Sequence, residues 1–540
     1  MELISQHVKR IMENCKVRAR AVGLKFDNET LEYIVTNRDL INLMPKHMVP
    51  TIYDYWVHDV EVLRERGKYE LSPGNPYESV INTRPAISFY NDNNPDWLNT
   101  MIFYHVLGHI DFFQNNFLFK HTWFDDFAEQ AAKDKEVIEK HRAQHGRWVD
   151  YVIEFSRNID NLVSFYKTAC SFDELSPLDT SEKVSYYFDI FLQDVKTESI
   201  SEYLNELDRY NADLKIHGSH ADEVFFAGVL AKHSEFNQVY AKFQENKKKK
   251  PSDLFEYLIE NSAYLNRIEN EWMLDVMHIV RNTSMYFQPQ IRTKIFNEGW
   301  ASYWHETLFL QDLLHNPQLK GNETNYAVIN AGVTSLSRVG LNPYAIGLRL
   351  IKYIEDMADK GKISHDFQKI QDRSARAKYD MHTGKGREFI FQAREFMDDF
   401  NLINTFVDQD FCDMHDLFVA ASYIDEERGT EVFYVKSRKA KDYKQMLIDN
   451  LYHPPKITID QQKSSSHNLY LVHSFEGRQL VQEYIPNTMM GIGFLWGGSV
   501  QLETHEIHSE PTDDPKKKDT MVNKVVHTMS DERVYSKKAI

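Results

Sequence analysis

A chain of 540 residues is longer than a single hydrophobic core usually supports, so the packing of roughly two to four domains is expected. Hydrophobic residues at 42% and aromatics at 13% exclude a disordered chain. The 63 basic residues against 80 acidic ones leave a net charge of −17, which repels polyanions and argues against nucleic acid as a partner.

The N-terminus, MELISQHVKRIMENCKVRARAVGL, reads as an amphipathic helix with charges throughout and no continuous apolar core, so no secretory signal is expected. Only Cys15, Cys170 and Cys412 occur, far apart and without C-x-x-C spacing, which predicts a reducing compartment. No run of 18 apolar residues predicts a membrane span, and a cytoplasmic location follows. Residues 71 to 96 are rich in Pro, Asn and Gly around two β-favouring pieces and read as an ordered loop or small hairpin. Within it, Glu78, Asn82 and Arg84 either line a cleft or satisfy turn backbone, with the second reading favoured.

FYHVLGHIDFFQNNFLF, Phe103 to Phe119, sets His105 and His109 four apart in an almost wholly apolar run. On a helix that spacing stacks the two rings, and two ring nitrogens can then share one divalent ion. Gly108 between them costs about 1 kcal/mol of helix propensity relative to Ala and so asks for close approach of another backbone or a ligand. His141 and His145 in EKHRAQHGRW have the same spacing, but their charged neighbours suit a solvated face, and that pair is discounted. The basic block at Lys247 to Lys250 reads as a solvated linker.

In QPQIRTKIFNEGWASYWHETLF, Gln288 to Phe309, a helix is expected to open after Pro289 and to carry Glu298, Ala301, Ser302 and His305 on one stripe. Burying Glu298 beside Gly299 and Trp300 is costly unless the carboxylate faces a metal or an arginine. HTGKGREF lacks the full phosphate-binding loop spacing, so no nucleotide is expected. Asn342 and Pro343 read as a helix cap with Pro in the first turn.

The expected fold class is mainly α, with a helical core domain over residues 1–415. A smaller α+β C-terminal module follows at 416–508, where DLFVAASYI and TEVFYVKSR form a hairpin and KITID, NLYLVHSF and FLWGGSVQLETHE add strands. Residues 509–540 read as a flexible charged tail.

GNPYESVINTRPAISF, HVLGHIDFFQNNFLF, YFQPQIRTKIFNEGWASYWHETL and NPYAIGLRLIKYIED, in that order, resemble the SpoVR-like family, named for a protein of stage V sporulation; the likeness reaches FLWGGSVQL and spans residues 1 to about 505. The resemblance implies a role in spore cortex formation or stress response, beside a PrkA-type serine kinase and a third, small-family protein. EGWA after a histidine pair is also similar to the glutamate helix of some gluzincin zinc peptidases, which implies a zincin-like helix pair with His105, His109 and Glu298 as metal ligands. The glutamate that those enzymes carry after the first histidine is Val106 here, so His305, Glu306 and Asp111 are the candidate bases. The first hypothesis is a zinc-dependent hydrolase of an amide or ester, with His305 as base or fourth ligand. Its rival is a non-catalytic interaction protein in which the histidine helix serves a structural role and the C-terminal end binds the kinase.

Overall fold

The computed structural model describes residues 2–27, 29–36, 39, 78–122, 127–163, 182–196, 200–249, 253–337, 340–370, 372–425, 429–511 and 518–540. Contacts divide the chain into one unit of Met1–Phe165 with Leu258–Ile540 and a second of Tyr166–Tyr257. The chain is mainly α, as expected, but the block expected over 1–415 contains a unit boundary, and the strand-rich end belongs to the first unit. Ser262 Oγ, for example, donates to the carbonyls of Leu495 and Trp496, tying helical and strand-rich parts together.

In the second unit, helices Ile200–His217, Ala221–Lys232 and Phe236–Lys249 and a π-helical turn at Tyr187–Val195 surround an aromatic core of Tyr187, Phe191, Phe225, Phe226 and Phe236. Buried Glu206 is stabilised there by Arg209 at 2.6 Å and the Tyr187 hydroxyl at 3.0 Å.

The centre of the first unit is built on three helices. The histidine helix, Asp96–Asn115, is apolar on nearly every face and buried from Leu98 through Phe113, the pattern of a helix enclosed by others. It stops at Asn116, whose side chain donates to the carbonyls of Arg394 and Met397. The glutamate helix, Lys294–His315, crosses it where a Cβ on Gly108 would lie 2.8 Å from Ala301 Cα, so the close approach expected of that glycine is to a backbone. On its other side the helix Pro343–Asp359 touches it glycine to glycine: a Cβ on Gly347 would meet the Ile295 carbonyl at 2.1 Å. Asn342 caps that helix, its side chain accepting from the Tyr344 and Ala345 amides.

One helix boundary differs from expectation. Pro289 does not open the glutamate helix but lies inside the preceding one, Glu271–Arg292, and the break falls at Thr293. Proline lacks the amide that would bond the Met285 carbonyl, and His121 Nε2 donates to that carbonyl instead, at 3.0 Å. The new helix start is capped by Asp399, whose carboxylate accepts from the Ile295 and Phe296 amides at 2.8 Å each.

Strands β1 (Glu2–Leu3), β2 (Thr30–Val35), β3 (Glu78–Ile81) and β4 (Ala86–Asn91) form a sheet in the order β1-β2-β4-β3. β3 and β4 are the hairpin expected around residues 71 to 96, of which 71–77 lie outside the described residues. β5 (Val419–Asp425) and β6 (Thr430–Ser437) pair as the expected hairpin. A five-stranded sheet follows, in the order β11-β10-β9-β8-β7, from β7 (Ile457–Ile459), β8 (Asn468–His473), β9 (Ser499–Pro511), β10 (Lys518–Met529) and β11 (Tyr535–Ala539). FLW of the expected last strand instead ends the helix Ile485–Trp496, which closes on left-handed Gly497 and crosses between parallel β8 and β9.

The flexible tail expected at 509–540 is a correction. β10 pairs with β9 from Lys518 to Met529, and β11 closes the edge. The reason is a period of two hidden among charges: Val525, His527 and Met529 are buried on one face. No helix among the described residues is long and apolar enough to cross a membrane.

Candidate metal centre

His105 and His109 leave the histidine helix on the face that meets the glutamate helix, and Glu298 leaves the latter toward them. Their Nε2 atoms are 3.1 Å apart. Glu298 Oε2 lies 3.4 Å from His109 Nε2 and 3.9 Å from His105 Nε2. A triangle with those three sides has its equidistant point about 2.0 Å from each atom, the length of a zinc bond to nitrogen or oxygen. Among the described residues, these three side chains are the set of potential ligands whose donor atoms lie within 4.8 Å of one another.

The remaining ring nitrogens decide where the protons sit. His109 Nδ1 meets the Asn297 amide oxygen at 3.0 Å and therefore donates, leaving Nε2 a bare lone pair. His305 Nε2 donates to the Asn330 amide oxygen at 2.8 Å, so its Nδ1 must accept, and His105 Nδ1, 3.0 Å away, supplies that proton. His105 Nε2 is then also bare. Burial, reinforced by the neighbouring His109 and His305, holds His105 well below the ordinary histidine range and hence neutral. Glu298 Oε2 is buried without a hydrogen-bond partner. Two ring nitrogens and a carboxylate oxygen thus face one another at the spacing of a ligand set.

A cavity of about 360 Å³ opens beside the cluster, lined by Glu78, Met101, Ile102, His105, His305 and Tyr344, with Val333 and Asn342. Glu78 Oε1 stands 4.0 Å from His105 Nε2. The Tyr344 ring stacks on His105 at 6.0 Å between centroids, and burial together with the Glu298 and Glu78 charges raises its phenol above the usual range.

The family model described as SpoVR like protein matches residues 2–453. The chain belongs to the SpoVR-like family. It is 24% identical over 339 residues to the uncharacterized protein YcgB of Escherichia coli (strain K12), a match covering 60% of this chain and 58% of YcgB. The chain thus spans less than two thirds of the length of that curated relative. No solved structure matches it.

Of the residues singled out in this SpoVR-like chain, His105, His109, Glu298 and His305 come together. Asp111 and Glu306 are engaged with other partners. Asp111 accepts from the Lys25 amide and Trp300 Nε1 and faces Arg394, while burial pushes its carboxyl up to about 6. Glu306 pairs with Lys352 at 2.7 Å. His305 sits behind His105, with one ring nitrogen on His105 and the other on Asn330, and orients it. Asn82 and Arg84 serve the hairpin and its surroundings, with Asn82 donating to Thr122 and Arg84 to Asn82. Glu78 reaches the cavity, contrary to the reading favoured from its turn-rich context. Asn297, Asn330 and Tyr344 were not singled out; Asn297 directly precedes Glu298, and that adjacency was the available signal.

Proposed function

We propose that this protein is a metal-dependent hydrolase of an amide or ester, with one zinc-like ion held by His105, His109 and Glu298 as in a zincin-type helix pair. The observation that carries the reading is the convergence of three donor atoms at bonding distance from a common point. A zinc-like ion with three protein ligands keeps a position for water and polarises a carbonyl. The adjoining cavity supplies room for a small acyl group. His305 and Asn330 hold the His105 ring, and Asn297 holds that of His109.

A cytoplasmic setting suits the sparse cysteines, of which Cys15 and Cys412 are buried free thiols. The cortex association implied by the family resemblance makes a cell-wall precursor or peptide amide the first substrate to try, and a PrkA-type serine kinase with its small-family companion the first partners. Elemental analysis of untagged protein tests the site: one ion per chain is expected, lost in His105→Ala and in Glu298→Ala. A metal-free parent protein sinks the proposal. An ion whose loss in Glu298→Ala leaves the cellular phenotype intact assigns the site a structural role and supports the non-catalytic reading.

A further inference from the structure

The histidine helix brings no proton acceptor of its own, because the residue after His105 is Val106, fully buried in the core. His305 lies behind His105, and neither Asp111 nor Glu306 lines the cavity beside the cluster. One carboxylate faces the cluster from a different element. Glu78 opens β3, opposite Tyr90 of β4, and lines the same cavity as His105. Its Oε1 lies 4.0 Å from His105 Nε2, yet it is not among the donors that stand within 4.8 Å of one another. Lying outside that mutually close set, its carboxylate is placed to meet a water beside the ion rather than to complete the ligand set. The cavity wall around it mixes apolar Met101, Ile102 and Val333 with polar Asn342 and Tyr344.

We propose that Glu78 is the proton acceptor of this site, standing where the metal-peptidase glutamate would stand but delivered by a strand. The proposal rests on the ion-binding reading above. In the reaction one water is consumed. Its proton passes to the Glu78 carboxylate as its oxygen bonds the carbonyl carbon. The bond from that carbon to nitrogen or oxygen then breaks, and Glu78 returns the proton to the leaving group.

The test uses the full chain loaded with cobalt in place of the native ion, the isosteric E78Q variant, and two small probes read by the cobalt absorption spectrum. Acetohydroxamic acid gives up a proton when it binds a metal; thiocyanate has none to give. In E78Q, cobalt content should stay at parental stoichiometry and thiocyanate affinity within about threefold. Acetohydroxamate affinity should fall about tenfold or more, the loss of one charge-assisted hydrogen bond. Glu78→Asp, which keeps the carboxylate, should recover part of that affinity. Loss of cobalt from E78Q makes Glu78 a ligand and overturns the proposal, as does unchanged acetohydroxamate binding. A parent that binds cobalt but neither probe overturns it too, because the ion then offers no open position. A parent that binds no cobalt defeats the metal site itself, a different failure.

Discussion

Two histidine pairs in this chain share a spacing of four on a helix and differ in nearly everything else. His105 and His109 have ring centroids 4.6 Å apart, and each is held through Nδ1, so that both Nε2 atoms turn toward Glu298. His141 and His145 lie 6.2 Å apart. His141 spends Nε2 on Asp275 at 2.9 Å, and His145 stacks on Trp272 at 4.4 Å and 12°. Composition discounted the second pair as a solvated face, yet His141 is buried; what disqualifies it is its partners. Spacing brings rings near one another, but the atom bonded to the far nitrogen decides whether lone pairs converge.

The largest effect should separate the pairs outright. His109→Ala is expected to abolish stoichiometric ion binding and His141→Ala to leave it intact, measured by elemental analysis on matched preparations. Next comes the crossing that only the first pair has. Gly108→Ala pushes a methyl against the Ala301 backbone and should cost about 1–3 kcal/mol in urea denaturation, with weaker ion binding, since a well-packed contact has little room to relax. Asn297→Ala frees the His109 ring and should weaken ion affinity about 10–100-fold in competition with a chelator, whereas the second pair has no such support to lose.

A smaller effect concerns the cap on the glutamate helix. Burial drives the Asp399 carboxyl up to about 8, above its unfolded value, so its neutral form is favoured in the folded protein. The stability tied to that proton is fully present below about pH 4 and is lost as pH rises toward 8. Asp399→Asn should therefore flatten the fall in urea midpoint between pH 5 and pH 8.5; an equally steep fall in the variant refutes the assignment. Smallest of all, Glu306→Gln should leave ion content unchanged and shift stability by about 0.5 kcal/mol or less, because its ion pair with Lys352 is partly exposed.

What could be read beforehand was local or periodic. The helical period placed His105 and His109 on one face and Glu298 with His305 on another, and a glycine in an apolar helix announced a backbone crossing. Partners far apart in the chain were not legible. Glu78 reaches the cavity only because the β3–β4 hairpin folds beside the histidine helix, and nothing in NPYESVI encodes that destination. Pro289 reads as a helix start, yet it sits inside a helix because its missing bond is made good by a side chain at position 121. β10 was hidden because exposed Met521 and Val522 precede the buried Val525, His527 and Met529, so apolar residues fall on both faces and blur the alternation.

Gly299 and Gly347 press two helix backbones together with no side chain between them, one residue from the Glu298 carboxylate. Such a joint neither slides nor rolls by small amounts, since main-chain atoms have no rotamers to yield. The acid is therefore aimed by the scaffold itself, and emptying or refilling the pocket should leave both helices where they stand. Discrimination among ions would then come from bond length against a stiff frame, favouring a small cation over a large one.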